Sequence, residues 1–477
     1  MKVLFLAAEA EPFVKVGGLA DVAGSLPAAL RALGHDVRLV IPGYGALDWA
    51  RWKPRQAASF DVPYSWGAQR AVIWETESGG VPVFLVTGPP IPSDSRIYGA
   101  RIDEDAPKFI FFSLAALFSA QTLGWQPDVV HANDWHTGAA AWWLATAGRV
   151  NDYFRSAASV FTIHNLLYRG EGSGRHLADY GAPVLEAARA LPDGFRDSPL
   201  ALALLSANML STVSPTYARE ILTPFYGEGL DAILRARQDR LAGILNGIDR
   251  DFWNPAGGEG IPSRFDANTL EDRAPNKAAL QAEAGLPIEP RTPLLAVVSR
   301  LDPQKGLAIA VPAVRRWLAR GGQFFLLGTG QPALEQEFAA IERDHPGRAS
   351  VRLRFDPGFA RTVYAGADMI LIPSRYEPCG LTQMIAMRYG AVPVARRTGG
   401  LADTITDTGD LGGTGFLFDD FHPGALDHAL DRAVSVYAQP AQWSEIQRRG
   451  MRKDFSWSRS APLYVELYER ARSLKAG

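Results

Sequence analysis

Two short segments of this chain place cations beside glycines where an apolar strand would end, and that pairing is suited to holding an anion. One is Lys15-Val16-Gly17-Gly18-Leu19, after Val3-Leu4-Phe5-Leu6. The other is Ser299-Arg300-Leu301-Asp302-Pro303-Gln304-Lys305-Gly306, after Leu294-Leu295-Ala296-Val297-Val298. In an open α/β sheet, ligands collect outside the carboxyl ends of the strands. A glycine turn opening a helix lets backbone N–H groups approach a phosphate. Pro303 enforces a turn, so the Arg300 guanidinium and the Lys305 ammonium can meet one phosphate pair. Two such ends, each with a cation, imply one anionic ligand held between two domains. Taken singly, each segment also suits an ordinary surface loop, and neither is a dinucleotide fingerprint or a P-loop.

The densest stretch is Pro373-Ser374-Arg375-Tyr376-Glu377-Pro378-Cys379-Gly380-Leu381-Thr382-Gln383, between the strand-like Met369–Ile372 and an apolar helix. Pro378 and Gly380 make a tight turn there, and the amides of Gly380, Leu381 and Thr382 then open a helix and can cap an anion. Glu377 would repel that anion unless it serves a neutral neighbour, such as a sugar hydroxyl; its plainer reading is a partner for the helix dipole. Arg397-Thr398-Gly399-Gly400-Leu401 adds a second glycine turn. In the first half, His131-Ala132-Asn133-Asp134-Trp135-His136 and Thr162-Ile163-His164-Asn165 both end strands, where buried His and Asp usually serve as hydrogen-bonded scaffold. No further ligands accompany His131 and His136, so no metal site is expected. Neither HExxH nor GxSxG occurs.

These residues need a frame. Strand-like runs alternate with helix-length segments throughout, the pattern of βαβ units around parallel sheets. The first half offers Val3–Ala7, Val37–Ile41, Val81–Val86, Val129–His131, Val160–Ile163, Ser211–Val213 and Ile244–Leu245. The second offers Leu294–Val298, Phe324–Leu327, Val351–Phe355, Met369–Ile372, Val392–Ala395 and Phe416–Phe418. At 477 residues two domains are expected: 1–250, a Pro- and Gly-rich linker at 251–292, and 293–456. A helix at 457–477, apolar through Leu463, Leu467 and Ala471 with Tyr464 and Tyr468 beside them, would cap or cross back to the first domain. The net charge of −2 gives no general pull toward nucleic acid or an anionic membrane. A sole cysteine, Cys379, fits a reducing cytoplasm. No apolar run reaches the length of a membrane span, and Glu9 and Glu11 follow the opening run, unlike a secretory signal. An intracellular, soluble protein is expected.

Taken in order, the motifs resemble those of the bacterial glycogen synthase and plant starch synthase family. They are KVGGLADV (15–22), HANDWHTG (131–138), FTIHNLLYRG (161–170), STVSPTYAREI (211–221), NGID (246–249), SRLDPQKG (299–306), LLGTGQP (326–332), YAGAD (364–368), PSRYEPCGLTQ (373–383), RTGGLADT (397–404) and FSWSRSA (455–461). The resemblance spans nearly the whole chain. It implies the α/β GT-B fold, two Rossmann-like doubly wound domains facing each other across a cleft. It also implies transfer of glucose from ADP-glucose to the non-reducing 4-hydroxyl of an α-1,4-glucan with retention, without cofactor or metal. By position, Lys15, Arg300 and Lys305 match the diphosphate ligands, and Glu377 the carboxylate at the donor sugar. His164, Asp134 and Asn246 match groups around that glucose. Gly18, Cys379, Gly380, Leu381 and Thr382 match the donor-binding loops, and Phe355 stands where an aromatic, commonly Tyr, stacks on adenine. The family's proposed mechanism has no enzyme base: the departing phosphate takes the acceptor's proton.

The chain departs from the pattern at Ser198-Pro199-Leu200-Ala201-Leu202-Ala203, where a lysine and glycines are common. Arg354-Phe355 replaces a Gly-Tyr pair, Arg169 replaces a Gln, and Gly170-Glu171-Gly172-Ser173-Gly174 lacks an aromatic. Competing readings are a glucosyltransferase with a different donor or a short maltooligosaccharide acceptor, and a non-catalytic glucan- or nucleotide-binding protein. The joint presence of Lys15, Arg300, Lys305 and Glu377 argues against the latter. A glucan phosphorylase would need a lysine-bound pyridoxal phosphate and usually a far longer chain.

Overall fold

A computed structural model describes residues 1–94, 96–99 and 101–476. The chain forms two compact units, Met1–Gly247 with Trp457–Gly477, and Ile248–Ser456. In the first, the strands are β1 (Lys2–Leu6), β2 (Asp36–Pro42), β3 (Arg55–Tyr64), β4 (Gly67–Ser78), β5 (Val81–Thr87), β6 (Val129–Asn133), β7 (Ala158–Ile163), β8 (Met209–Thr212) and β9 (Leu241–Gly243). They form one sheet in the order β3-β4-β5-β2-β1-β6-β7-β8-β9. From β5 to β9 every pairing is parallel. The chain winds outward from β1 in one direction and from β6 in the other, so the switch point lies between them. Parallel strands buried on both faces are near-continuously apolar: Val3–Leu6 of β1 are buried and apolar throughout, and β7 is buried throughout with only Ser159 and Thr162 polar.

The second unit has β10 (Leu294–Val298), β11 (Gln323–Leu327), β12 (Ala349–Arg352), β13 (Met369–Ile372), β14 (Val392–Arg396) and β15 (Phe416–Phe418). Their order is β12-β11-β10-β13-β14-β15, all parallel, with the switch point between β10 and β13. Each unit is therefore a doubly wound α/β body of the Rossmann type.

The structure corrects several expectations. The hairpin β3–β4 has no counterpart among the expected strands, because it pairs antiparallel at the sheet edge and alternates polar with apolar residues, as in Ser59-Phe60-Asp61-Val62. The search for continuous apolar runs misses such strands. The third strand of the second unit ends at Arg352, leaving Phe355 in the loop beyond it. The last strand of the first unit is Leu241–Gly243, ahead of the expected Ile244–Leu245.

The stretch 251–292 is no linker. It belongs to the second unit, which begins at Ile248, and it carries the helix Ala274–Glu283. Buried Arg273 donates to the carbonyls of Tyr389 (2.9 Å), Tyr364 (3.1 Å) and Ala367, and Lys277 pairs with Asp368 at 2.6 Å. Buried charges persist only when paired or hydrogen-bonded, so these residues fasten the segment to its core.

The helix Trp457–Ala476 packs on the first unit through Trp457, Ala461, Tyr464, Leu467, Tyr468 and Ala471, whereas Leu463 lies on its exposed side. Its polar anchor is His131. The ring's Nδ1 lies 2.8 Å from the Tyr468 hydroxyl and its Nε2 2.6 Å from Thr162 Oγ1, all buried. The first histidine of HANDWHTG, His131, is thus a fastening for the last helix. Tyr468→Phe, which leaves Nδ1 of His131 unpaired, is expected to cost about 1–3 kcal/mol; denaturant unfolding would measure it, and an unchanged midpoint would contradict the assignment.

Candidate active site

In the second unit, the segment after β10 and the segment after β13 emerge from neighbouring strands at the switch point. Asp302 caps the short turn Pro303–Lys305 by accepting the Lys305 amide at 3.1 Å, and Gly306 follows with φ +65°. A Cβ on Gly306 would collide with the Pro373 carbonyl. The amide of Arg375 donates to the Gln304 carbonyl at 2.8 Å, fixing the two loops together. This brings Lys305 Nζ onto Glu377, 2.9 Å from Oε1 and 2.7 Å from Oε2. Ser374 Oγ donates to Oε2 at 2.9 Å. Glu377 is buried, so its charge is tolerated because three hydrogen bonds meet it.

The turn beyond is shaped by glycines. Gly380 has φ +72°, and the helix Thr382–Arg388 starts immediately after it. The first N–H groups of a helix lack intrahelical acceptors, and the amides of Gly380, Leu381 and Thr382 have no backbone acceptor among the described residues. Gln383 buttresses the turn from within, its Nε2 donating to the carbonyls of Cys379 (3.0 Å) and Gly380 (2.9 Å). Gly399 and Gly400 pack so closely that a Cβ on either would overlap the carbonyl oxygen of Glu377 or Cys379. The Gly400 amide donates to the Glu377 carbonyl at 3.0 Å. Cys379 itself is buried.

Arg300 is exposed and pairs with Asp302 at 3.2 Å. Phe355 is 68% exposed, while Arg354 pairs with Asp356 and lies over Phe359.

In the first unit, buried Glu9 organises the KVGGL loop, with its Oε2 accepting the amides of Val16 and, at 3.0 Å, Gly17. Burial raises its pKa above the ordinary carboxylate value, against those hydrogen bonds. Lys15 pairs with Asp21 at 2.6 Å; Asp21 is also raised, by burial first, with Lys15 opposing. Exposed Gly18 opens the helix Gly18–Ala32, and a Cβ there would meet nothing within 4 Å. Nothing in the chain itself therefore requires a glycine at that position.

Across the switch point, at the end of β6, Asp134 adopts φ +55° and ψ 178°, a conformation nearly reserved for glycine. Its Oδ1 accepts the amides of His164 (2.7 Å) and Asn165 (3.3 Å), and its own amide donates to the Thr162 carbonyl at 2.9 Å. Burial pushes its carboxyl up to about 7 and holds the His164 imidazole neutral, down to about 3. Asp134 thus carries the His164 loop through its carboxylate. Asn246, 6% exposed, has a buried Oδ1 without a hydrogen-bond partner among the described residues. The same is true of His136 Nδ1.

Sequence reasoning missed Glu9, Ser374, Asp302 and Asn133. Glu9 was seen only as a charge unsuited to a signal segment, and Ser374 lay inside a quoted motif without a role. The departures at 169, 170–174 and 198 converge here: Arg169 pairs with Glu171 and Glu228 and lies over Phe195, and its carbonyl accepts Ser198 Oγ at 2.5 Å.

Two Rossmann-type sheets, with cations, a buried carboxylate and glycine-shaped amide turns at their switch points, define a glycosyltransferase of the GT-B class. Residues 2–236 match the starch synthase catalytic domain family and residues 281–450 the glycosyl transferases group 1 family. The glycogen synthase of Syntrophotalea carbinolica is 41% identical over 99% of both chains, and that of an Anaeromyxobacter species 44% identical over 100% of both. The catalytic domain of starch synthase IV from Arabidopsis thaliana, bound to ADP and acarbose, has a TM-score of 0.91 at 35% identity over 99% of both chains. The chain belongs to the glycogen synthase and starch synthase family. It is a glucosyltransferase that uses a nucleotide sugar and a glucan.

The raised pKa of Asp134 carries a sign. Between its unfolded value of 3.8 and about 7 the native state keeps a proton that the unfolded chain has lost, so this carboxyl lowers stability progressively as pH rises through that window. Asn at this position does not titrate. The stability of Asp134→Asn relative to the parent should therefore increase from pH 4.5 to pH 7.5 in denaturant unfolding; a gap that is constant or shrinks would refute the raised value.

Proposed function

We propose that the donor is ADP-glucose and that glucose passes to the non-reducing 4-hydroxyl of an α-1,4-glucan with retention of the α configuration. The observation that carries this reading is the Lys305–Glu377 pair beside the open amides of Gly380, Leu381 and Thr382. As the bond from the glucosyl C1 to the β-phosphate oxygen breaks, negative charge grows on the leaving diphosphate. Preorganised cations and amides stabilise such charge most where it develops. Arg300, Lys305 and the turn amides are assigned to that role, and Lys15 and the Gly18 backbone to phosphate oxygens. Glu377 carries negative charge toward the glucosyl carbon as that carbon becomes electron-poor. The acceptor oxygen bonds to C1 on the face that the phosphate leaves, and its proton passes to the phosphate, so no further base is required. Asn246, with its unpaired acceptor, and His164 suit sugar hydroxyls. Exposed Phe355 suits the adenine, since stacking uses the ring face and its apolar area. No cofactor or metal is assigned, and the cytoplasm is the compartment proposed.

The direct test is incubation with glycogen and either ADP-glucose or UDP-glucose, following nucleotide release. ADP-glucose should be the better donor; a preference for UDP-glucose would overturn the donor assignment. Glu377→Gln keeps an acceptor for Lys305 but removes the charge. Its turnover should fall by on the order of a hundredfold, with donor affinity changed far less; near-native turnover would remove Glu377 from the mechanism. Phe355→Ala should lower catalytic efficiency with ADP-glucose more than with UDP-glucose, because a purine offers the larger face. An unchanged efficiency ratio would show that Phe355 does not read the base.

A further inference from the structure

Three consecutive strands of the first unit's sheet, β1, β6 and β7, end side by side, and one side chain links all three ends. Asn133, the last residue of β6, is 0% exposed. Its Nδ2 donates to the carbonyl of Leu6, the last residue of β1, at 2.9 Å. Its Oδ1 lies 2.9 Å from Nε2 of His164, the residue after β7. We infer that Asn133 is a positioning residue that fixes His164 as the Nε2–H tautomer, leaving Nδ1 as a hydrogen-bond acceptor for a sugar hydroxyl.

The argument is one of donors and acceptors. The Leu6 carbonyl can only accept, so the amide nitrogen of Asn133 must face it. A flipped amide would set Oδ1 against that carbonyl, two acceptors in contact in a site closed to water. With the nitrogen so placed, Oδ1 faces the imidazole, and an amide oxygen also only accepts. Nε2 of His164 therefore carries the hydrogen. Burial keeps the ring neutral, so Nδ1 holds a lone pair, and it has no hydrogen-bond partner among the described residues. The bond made by one ring nitrogen sets what the other can do. Asp134 meanwhile fixes the backbone of the same residue through the His164 amide at 2.7 Å. Two adjacent residues thus hold one histidine, Asp134 by its main chain and Asn133 by its ring. A sugar hydroxyl meeting Nδ1 must then donate, which favours a hydroxyl over an ether oxygen at that point.

This inference rests on the reading that His164 faces the sugar, and the experiment separates the two. In protein labelled with 15N-histidine, long-range 1H–15N spectra distinguish protonated from unprotonated ring nitrogens, and the His164 signals are those lost in His164→Gln. At pH 7 without substrate, Nε2 should be protonated and Nδ1 not. A protonated Nδ1, alone or with Nε2, overturns the inference on the wild-type protein, whether or not any variant folds. Asn133→Ala, its fold checked by circular dichroism, should show a mixed tautomer and a turnover reduced roughly ten- to a hundredfold, as loss of an outer orienting partner does at metal-bound histidines. An unchanged tautomer and turnover would overturn it as well. Should wild type show the Nε2–H form yet fail to extend glucan, the functional reading fails and the tautomer assignment stands.

Discussion

The interaction on which the second unit's site depends is the contact of one lysine with a buried carboxylate, which holds a cation proposed for the donor's diphosphate in place. Lys305 rests on both oxygens of Glu377. Everything around that pair serves to bring two loops to one point: Asp302 closing the turn before Lys305, Ser374 holding Oε2, and Gly399 and Gly400 admitting a second turn against the Glu377 backbone. The pair does two things at once. It offsets part of the desolvation cost that either buried charge would carry alone, and it leaves the ammonium in position beside the helix-opening amides.

The same economy recurs at the other cations. Arg300 pairs with Asp302, and Lys15 with Asp21. Each cation assigned to phosphate thus has a carboxylate at hand before any ligand arrives. The Arg300–Asp302 pair lies at the surface, where such pairs are individually weak, so a diphosphate with its higher charge can compete for that cation; the Lys15–Asp21 pair is partly buried. Glu377, being buried, is the carboxylate least free to move away, consistent with a role at the sugar.

The first unit solves a different problem, that of holding a neutral histidine in a fixed orientation. Its loop hangs from the carboxylate of Asp134, whose own backbone is strained. Strain of this kind persists only where surrounding contacts over-determine it, and here the Thr162 carbonyl and the two loop amides supply those contacts. His131, in the same motif, turned out to work on the opposite task, fastening the last helix through Tyr468. The two histidines differ in place and in neighbours: His131 lies inside β6, fully buried, and His164 in the loop after β7.

The sequence by itself determined the class of fold, since buried parallel strands must be apolar runs and glycine turns must follow them. It also marked the loops proposed to hold phosphate and, through Pro303, Gly306 and Gly380, the turns that present them. These features are local: a proline fixes its own φ and a glycine permits its own turn. What the tertiary structure alone decided is which groups share a proton or a charge. That Lys305 meets Glu377, 72 residues on, follows from β10 and β13 being neighbours in the sheet. That Asn133 joins Leu6 to His164 follows from β1, β6 and β7 lying in a row. The edge hairpin β3–β4 and the folding of 251–292 onto the second core escaped for a related reason. Polar residues interrupt their apolar ones, and polar residues reveal their place only when the partner that satisfies them is known, as Asp368 is for Lys277.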